Sequence, residues 1–423
     1  MGRAGFIVGL EQRLMMQQAL SVAVIGGSLA GCAIAQVFAR AGHQVDVYER
    51  SPTELEGRGA GIVLPIPLQQ ALIADGFIPP DYASLPLGQR DWIIADGSVS
   101  GREAWTQSSA ACSHHWGALW QALRQGIADA HYHHGSALVD YDNTPEGVTF
   151  RLSNGEARRV DLLVAADGYR SSVREQMPWG SESDYAGYVL WRGNFAVSRA
   201  SDHPLIARMQ QSHSWLSSGY AGGHVVIYLI PGLSSGDGAD EQRVNWALYG
   251  PPPQGLTLNE PGSVPEGAVT PALMQQLTAL REANLPPQIA DLIGLTRIEE
   301  VSIQPIYDEL AVHFHEHRVM LVGDAAAVVR PHTASGATKA LQDALAVQTL
   351  LRESSSLDNL LRAYGAERLA ACNALVELGR RLGHAQVEQT PDWPSMAAAD
   401  FERWNAAVFA GDSLYMYDDR DHA

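Results

Sequence analysis

Cysteine is scarce. The chain has three, Cys32, Cys112 and Cys372, in 423 residues, all far apart in sequence. That spacing excludes a disulfide framework and a zinc pattern, and a reducing cytoplasm fits it best. Positive charge is also short: 29 Lys and Arg stand against 47 Asp and Glu, a formal net charge of −18. So acidic a chain is a poor match for nucleic acid or for an anionic membrane surface. No apolar run reaches the length of a membrane span, and there is no internal repeat or low-complexity tract. Residues 1–20 lack the apolar core and small-residue cleavage site of a signal peptide and read as an N-terminal extension, with Met15 and Met16 as alternative starts. The histidine clusters His313-x-His-x-His317 and His131-x-His-His134 have no carboxylate or cysteine at a metal-site spacing, so no functional metal is expected. What remains is the composition of a globular enzyme, 46% hydrophobic and long enough to bury a large core in two joined domains.

The chain is organised around Ser21-Val-Ala-Val-Ile-Gly-Gly-Ser-Leu-Ala-Gly31. Ser21–Ile25 are small or β-branched and read as a buried strand. Gly26-Gly27 break it, Leu29–Ala41 continue as an apolar helix, and Gly42 stands where a left-handed cap belongs. A second strand, Gln44–Tyr48, ends at Glu49. This strand–turn–helix–strand unit presents the N–H groups of Leu29 and Ala30 to a pyrophosphate, with Gly31 letting the helix approach the strand. Glu49 stands where an acid accepts ribose hydroxyls. Ser28 replaces the middle glycine of G-x-G-x-x-G and can itself donate to a phosphate. The unit alone does not separate FAD from NAD.

Further along, Arg58-Gly-Ala-Gly-Ile62 suggests backbone held close to something large. Residues 85–104 read as short strands around an Asp96-Gly97 turn. Trp116–Ala130 has the periodicity of an amphipathic helix, with Arg124 on it as a phosphate ligand or an ordinary surface arginine. A hairpin is expected around Asn143 and Pro145. The apolar strand Val160–Ala165 runs into Asp167-Gly168, at the sheet edge where such folds bind ligands. From Gly187 to Tyr249 alternation replaces helical periodicity, which predicts an antiparallel sheet. Arg318–Val322 then leads into Gly323-Asp324 and a glycine-containing stretch, Val328 to Ala340, that runs into a long helix, Leu341–Leu351. Helical patterns over 357–382 and 400–409 close the chain.

Three separated signals occur together: Gly26-x-Ser-x-x-Gly31 with Glu49, Asp167-Gly168, and Gly323-Asp324 with Pro331. In order and spacing they resemble the three fingerprints of single-component FAD-dependent aromatic hydroxylases of the para-hydroxybenzoate hydroxylase type. Gly187-Tyr-Val-Leu-Trp-Arg-Gly193, Tyr228-Leu-Ile-Pro-Gly232, Asn245-Trp246 and Arg330-Pro-His-Thr-Ala-Ser-Gly336 look most like the 2,6-dihydroxypyridine 3-hydroxylase branch. The resemblance implies an α/β fold: a Rossmann-like, glutathione-reductase-type FAD-binding domain with an inserted antiparallel substrate sheet and C-terminal helices. The corresponding segments are 21–84, 105–180 and 300–370 for FAD, 85–104 and 181–299 for substrate, and 371–423 for the C-terminal helices.

The same resemblance implies FAD contacts at Gly26, Ser28, Leu29, Ala30, Gly31, Glu49, Arg50, Arg58, Arg124, Asp167, Asp324, Pro331, Gly336, Ala337 and Thr338. It implies NADH or NADPH as a transient co-substrate, since the chain has one nucleotide unit only. O2 would oxidise a small electron-rich ring, a hydroxypyridine or phenol, through a flavin C4a-hydroperoxide. His332 is the first choice for the group that activates the ring hydroxyl, because it adjoins Pro331. His213 and Tyr228 are further catalytic candidates, and Arg192 and Tyr220 are substrate candidates beside His332, with core packing as the alternative for His213 and both tyrosines. A reductase or dehydrogenase of the same fold, or a silent flavoprotein binding module, would share these motifs. No Trp-x-Trp-x-Ile-Pro motif points to halogenation. The last two helices leave open a homodimer or a capped monomer.

Overall fold

A computed structural model describes residues 19–57, 60–180, 182–233, 241–256 and 263–412; Met15, Met16 and Arg58 lie outside these. The expected α/β architecture is observed. One sheet runs in the spatial order His315–Glu316, Val319–Leu321, Leu162–Ala165, Ser21–Ile25, Gln44–Tyr48, Tyr132–His133. All its pairings are parallel except the first. Leu162–Ala165 is buried along its whole length and Ser21–Ile25 along all but its first residue, because the sheet packs against helix Leu29–Arg40 and against a three-stranded antiparallel sheet, Leu138–Thr144, Gly147–Leu152 and Ala157–Val160. Helix Leu29–Arg40 packs against helix Gly336–Glu353, so the two glycine loops that open these helices come to one edge of the sheet.

The second sheet has eight strands, in the order Val301–Asp308, Asp184–Ala196, Arg243–Gly250, Gly223–Ile230, Ser214–Tyr220, Leu85–Ile94, Arg102–His115, Gly61–Pro65. Only the Ser214–Tyr220 pairing with Leu85–Ile94 is parallel. One face is a dry core of Trp191, Phe195, Trp246, Leu248, Val225 and Ile227. Alternation turns the intervening residues the other way. In register across three strands stand Leu190, Tyr249 and His224; then Arg192, Ala247 and Val226; then Asn194, Asn245 and Tyr228. This second face covers the edge of the parallel sheet.

Three boundaries differ from expectation. The first excursion into the second sheet is longer than 85–104, since Gly61–Pro65 and all of Arg102–His115 belong to that sheet. Thr106–Ser113 is a run of small and polar residues with no hydrophobic alternation; its strand conformation comes from pairing with Leu85–Ile94, and at Ala111–Ser113 also with Gly61–Pro65, not from propensity. The helix predicted over 116–130 ends at Arg124. The proposed break at 371 falls inside helix Leu357–Gly383, whose Cys372, Leu375 and Val376 lie in the same core as the parallel sheet. The chain then makes one π-helical turn, His384–Glu388, and Trp393 stacks on Trp92 at 5.2 Å. Among the described residues no helix is long and apolar enough to cross a membrane.

Candidate active site

Between the sheets lies a cleft of about 360 Å³ that connects both glycine loops to the aromatic face of the second sheet. At one end, Gly26 adopts φ +99, and a Cβ there would strike the Ala166 carbonyl. A Cβ on Gly31 would strike the carbonyl of Gly26. These two positions let the turn and helix lie against the sheet. Ser28 is the N-cap, but its side chain makes no capping bond. Its hydroxyl and the first-turn N–H groups therefore remain for a ligand, and Ser28, Leu29 and Ala30 line the cleft. Glu49 is buried; its Oε2 accepts from Gly27 N–H at 2.7 Å and its Oε1 from Ser51 N–H at 2.8 Å. The second loop follows Val319–Leu321. Asp324, 44% exposed at its side chain, and Gly336 and Ala337 at the head of the long helix line the cleft. Arg174 ties the two edges together, donating to the carbonyls of Asp324 and Ala325 at 2.9 Å and of Tyr169 at 2.6 Å.

The other end is aromatic. The His224 ring stacks on Tyr249 at 4.5 Å, and His332 stacks on Tyr249 at 4.1 Å. The imidazoles are 5.1 Å apart, well short of the sum of those distances, so both lie on one side of the Tyr249 ring. Tyr188 Oη is 2.7 Å from His332 Nε2 and accepts from Arg330 at 3.3 Å. Arg330 is fixed by Asp308 at 2.6 Å and Glu388 at 2.9 Å. Burial, with help from the Arg330 charge, pushes His332 down to about 3; burial also holds His224 well below the usual imidazole range. Both rings are neutral at neutral pH. Arg192 and Tyr228 line the same cavity. Arg192 Nη2 reaches the Gly61 carbonyl at 3.4 Å, and burial raises the Tyr228 phenol to about 12.

Several sequence candidates stand elsewhere. His213 is the left-handed C-cap of helix Pro204–Ser212, at φ 49, and does not line the cleft. Tyr220 donates to the Tyr249 carbonyl at 2.6 Å behind the wall. Arg124 turns to Ile127 O and Asp129, both at 2.8 Å, and lies 4.1 Å from the Tyr132 ring. Asp167 folds back on Ser171 at 2.6 Å and Ser172 at 3.1 Å, so the loop presents Ala166 and Gly168, not the carboxylate, to the cleft. Arg50 is exposed and off the cleft wall, and Thr338 is buried behind Ala337. A local partner or the run of the backbone keeps each of these groups off the cleft wall, and Arg124 Nε is left without a partner. His332 lines the cleft, but with Nε2 occupied and Nδ1 buried it is no free base. The residues that sequence reading missed are His224, Tyr249 and Tyr188. The signal was available: His224, Val226 and Tyr228 share one face by strand alternation. Among the described residues no three His, Cys, Asp or Glu side chains converge on a metal site.

Two free helix N-termini, glycines that admit no Cβ and an exposed Asp at one edge of a parallel sheet, facing an aromatic wall, are the parts of a dinucleotide cleft that opens onto a ring-sized chamber. Family models agree: an FAD binding domain matches residues 275–378 and an FAD binding domain-like model matches 185–308. The chain is 28% identical over 378 residues to 2,6-dihydroxypyridine 3-monooxygenase of Paenarthrobacter nicotinovorans, covering 86% of this chain and 91% of that one. It is 23% identical to 6-hydroxynicotinate 3-monooxygenase of Pseudomonas fluorescens, covering 89% and 95%. The solved 2,6-dihydroxypyridine-3-hydroxylase from Arthrobacter nicotinovorans superposes with a TM-score of 0.78 at 26% identity, covering 90% of this chain and 97% of that one.

Proposed function

We propose that the chain holds FAD along the cleft and hydroxylates a small hydroxypyridine-like or phenol-like ring at its aromatic end, with NAD(P)H as reductant and O2 as oxidant. The observation that carries this reading is a continuous cavity with phosphate-type donors at one end and a planar aromatic slot at the other. Ser28 and the first-turn N–H groups would hold the pyrophosphate, Glu49 the adenosine ribose and Asp324 the ribityl chain. Pro331 and the N–H groups of Gly336 and Ala337 would face the flavin ring, their helix dipole favouring negative charge there. Bound flavin supplies the two-electron chemistry that places one atom of O2 on the ring while the other leaves as water. Leu190, Val226, Ala247 and Tyr249 shield the reacting carbon from water. Relatives named for dihydroxypyridine and hydroxynicotinate support a hydroxylated nitrogen ring as the first substrate to try. The test is NADH and NADPH oxidation by the FAD-loaded protein over hydroxypyridines and phenols, with product mass read alongside. A ring that speeds oxidation and gains one oxygen supports the hydroxylase. Stimulation by no ring, or oxidation yielding only peroxide with every ring, would move the reading to a reductase or a silent flavoprotein.

A further inference from the structure

Arg192 puts a permanent positive charge in the cleft wall and has almost nothing to balance it. Its neighbours in register are Ser302 on one side and Ala247, then Val226, on the other, none of them charged. Among the described residues no carboxylate pairs with it, and its one hydrogen bond is the 3.4 Å contact from Nη2 to the Gly61 carbonyl. Nε is sealed in the wall without a partner. Nη1 has no partner either, yet it is not sealed, and Arg192 as a whole is only half-buried. Its strand is flanked on both edges and the opposite face of the sheet is the dry core, so what Nη1 meets is the cleft. Arg90 is a second cation in the same wall, held between Trp92 at 4.5 Å and Trp215 at 5.2 Å and donating from Nε to Ser217 at 2.7 Å. The one acidic residue among those lining the cleft is Asp324, beside the glycine loops.

We propose that Arg192 binds an anionic oxygen of the substrate, so that the ring this chamber takes is a negatively charged one. This rests on the hydroxylase reading above and narrows its substrate class. A guanidinium does not shed its proton at any ordinary pH, so the free protein carries an unbalanced charge in a site partly closed to water. The apolar and aromatic wall cannot offset that cost. An entering anion does, through charge-assisted hydrogen bonds to the open side of the fork. Two groups on a small hydroxylated ring have this chemistry, a carboxylate and an ionised ring hydroxyl. Arg90 adds positive potential from further along the wall and need not touch the ligand.

The experiment is a binding titration of oxidised, FAD-loaded protein without reductant, read by the flavin absorbance change. The probes are 4-hydroxybenzoate and 6-hydroxynicotinate, each paired with its uncharged primary amide. A further probe, 2,6-dihydroxypyridine, has no carboxylate and is titrated on either side of its own hydroxyl ionisation. If the anion is a carboxylate, the acid should bind about tenfold to a hundredfold more tightly than its amide, the usual worth of a charge-assisted bond. If it is an ionised ring hydroxyl, acid and amide bind alike, and 2,6-dihydroxypyridine gains a similar factor as it ionises. In Arg192→Met whichever preference is seen should collapse towards one. Arg192→Gln, neutral but polar, should lose it as well and covers the case in which the methionine variant fails to fold, while Arg192→Lys should restore part of it. Binding that is indifferent to the charge of every probe overturns the inference. So does a preference unchanged in either neutral variant that retains its FAD, or a variant whose only defect is weaker FAD, which would assign the charge to the flavin. Failure of every probe to bind would instead overturn the substrate class on which the inference rests.

Discussion

Replacing Glu49 with glutamine changes one atom and no volume, and the structure says what that atom does. The carboxylate is buried and accepts from Gly27 N–H at 2.7 Å and Ser51 N–H at 2.8 Å. Both bonds are charge-assisted, worth about 1.5–3 kcal/mol each. Gln offers one acceptor oxygen, so one of the two N–H groups must face an NH2. The apoprotein should lose about 1.5–3 kcal/mol of stability, because the Gly27 turn is no longer drawn to the strand end. If Glu49 also accepts a ribose hydroxyl, the neutral amide weakens FAD by roughly tenfold to a hundredfold in Kd. Two assays separate the effects: urea unfolding of the apoprotein, and FAD titration followed by quenching of flavin fluorescence. Lower stability with an unchanged Kd would refute the ribose assignment and leave Glu49 as a clamp on the turn. Unchanged stability would refute the reasoning from the two backbone bonds.

Acid should destabilise the fold through histidines buried in the neutral form. Burial pushes His114 and His115 down to about 4 and His332 to about 3, the last two helped by Arg243 and Arg330 respectively. Their folded pKa values lie below the unfolded value, so the unfolded chain binds more protons. Stability is fully present above pH ~6.5 and falls as pH drops towards 4, by at most about 1.4 kcal/mol per pH unit for each group. A urea midpoint that is the same at pH 7 and pH 5 would contradict this. His213→Gly relieves a left-handed backbone at φ 49 and should raise stability by up to about 1 kcal/mol; slower turnover in that variant would return His213 to the active site. Tyr220→Phe removes the 2.6 Å bond to the Tyr249 carbonyl and should cost roughly 1–3 kcal/mol in chemical unfolding without altering FAD affinity.

The nucleotide unit was legible because its constraints are local and steric. Gly26 and Gly31 stand where any Cβ would collide with backbone, and Ser28, Leu29 and Glu49 follow from strand–turn–helix geometry alone. Sheet membership of Thr106–Ser113 was not legible, since pairing partners 15 to 28 residues away, from Asp91 opposite Thr106 to Leu85 opposite Ser113, decide it. Arg124 and Asp167 are residue types that can contact FAD, but in this structure Asp129 and Ser171, five and four residues on in the chain, hold them off the cleft wall. His332 was found by its place beside Pro331, but its role depends on Tyr188 and Arg330, and the first of these is far away in sequence. His224 needed only the alternation of its own strand to be read alongside Tyr228.

The π-helical turn His384–Glu388 has a consequence for biosynthesis. The parallel sheet takes four of its strands from the first 165 residues and a fifth, Val319–Leu321, much later. The last supports of the substrate-end wall are later still, since Glu388 anchors Arg330 and Val387 packs with Tyr188, Leu190 and Tyr249. At about 5–20 residues per second on the ribosome, the nucleotide-binding half can take shape many seconds before that wall exists. A chain broken off before the π-helical turn would keep most of the groove that would hold FAD and lack the anchors of the chamber where a ring is oxidised. Because these anchors follow the rest of the wall in the chain, the reaction chamber can shut only after residue 388 has been made, and a translation product that stops earlier would hold the cofactor groove open to water.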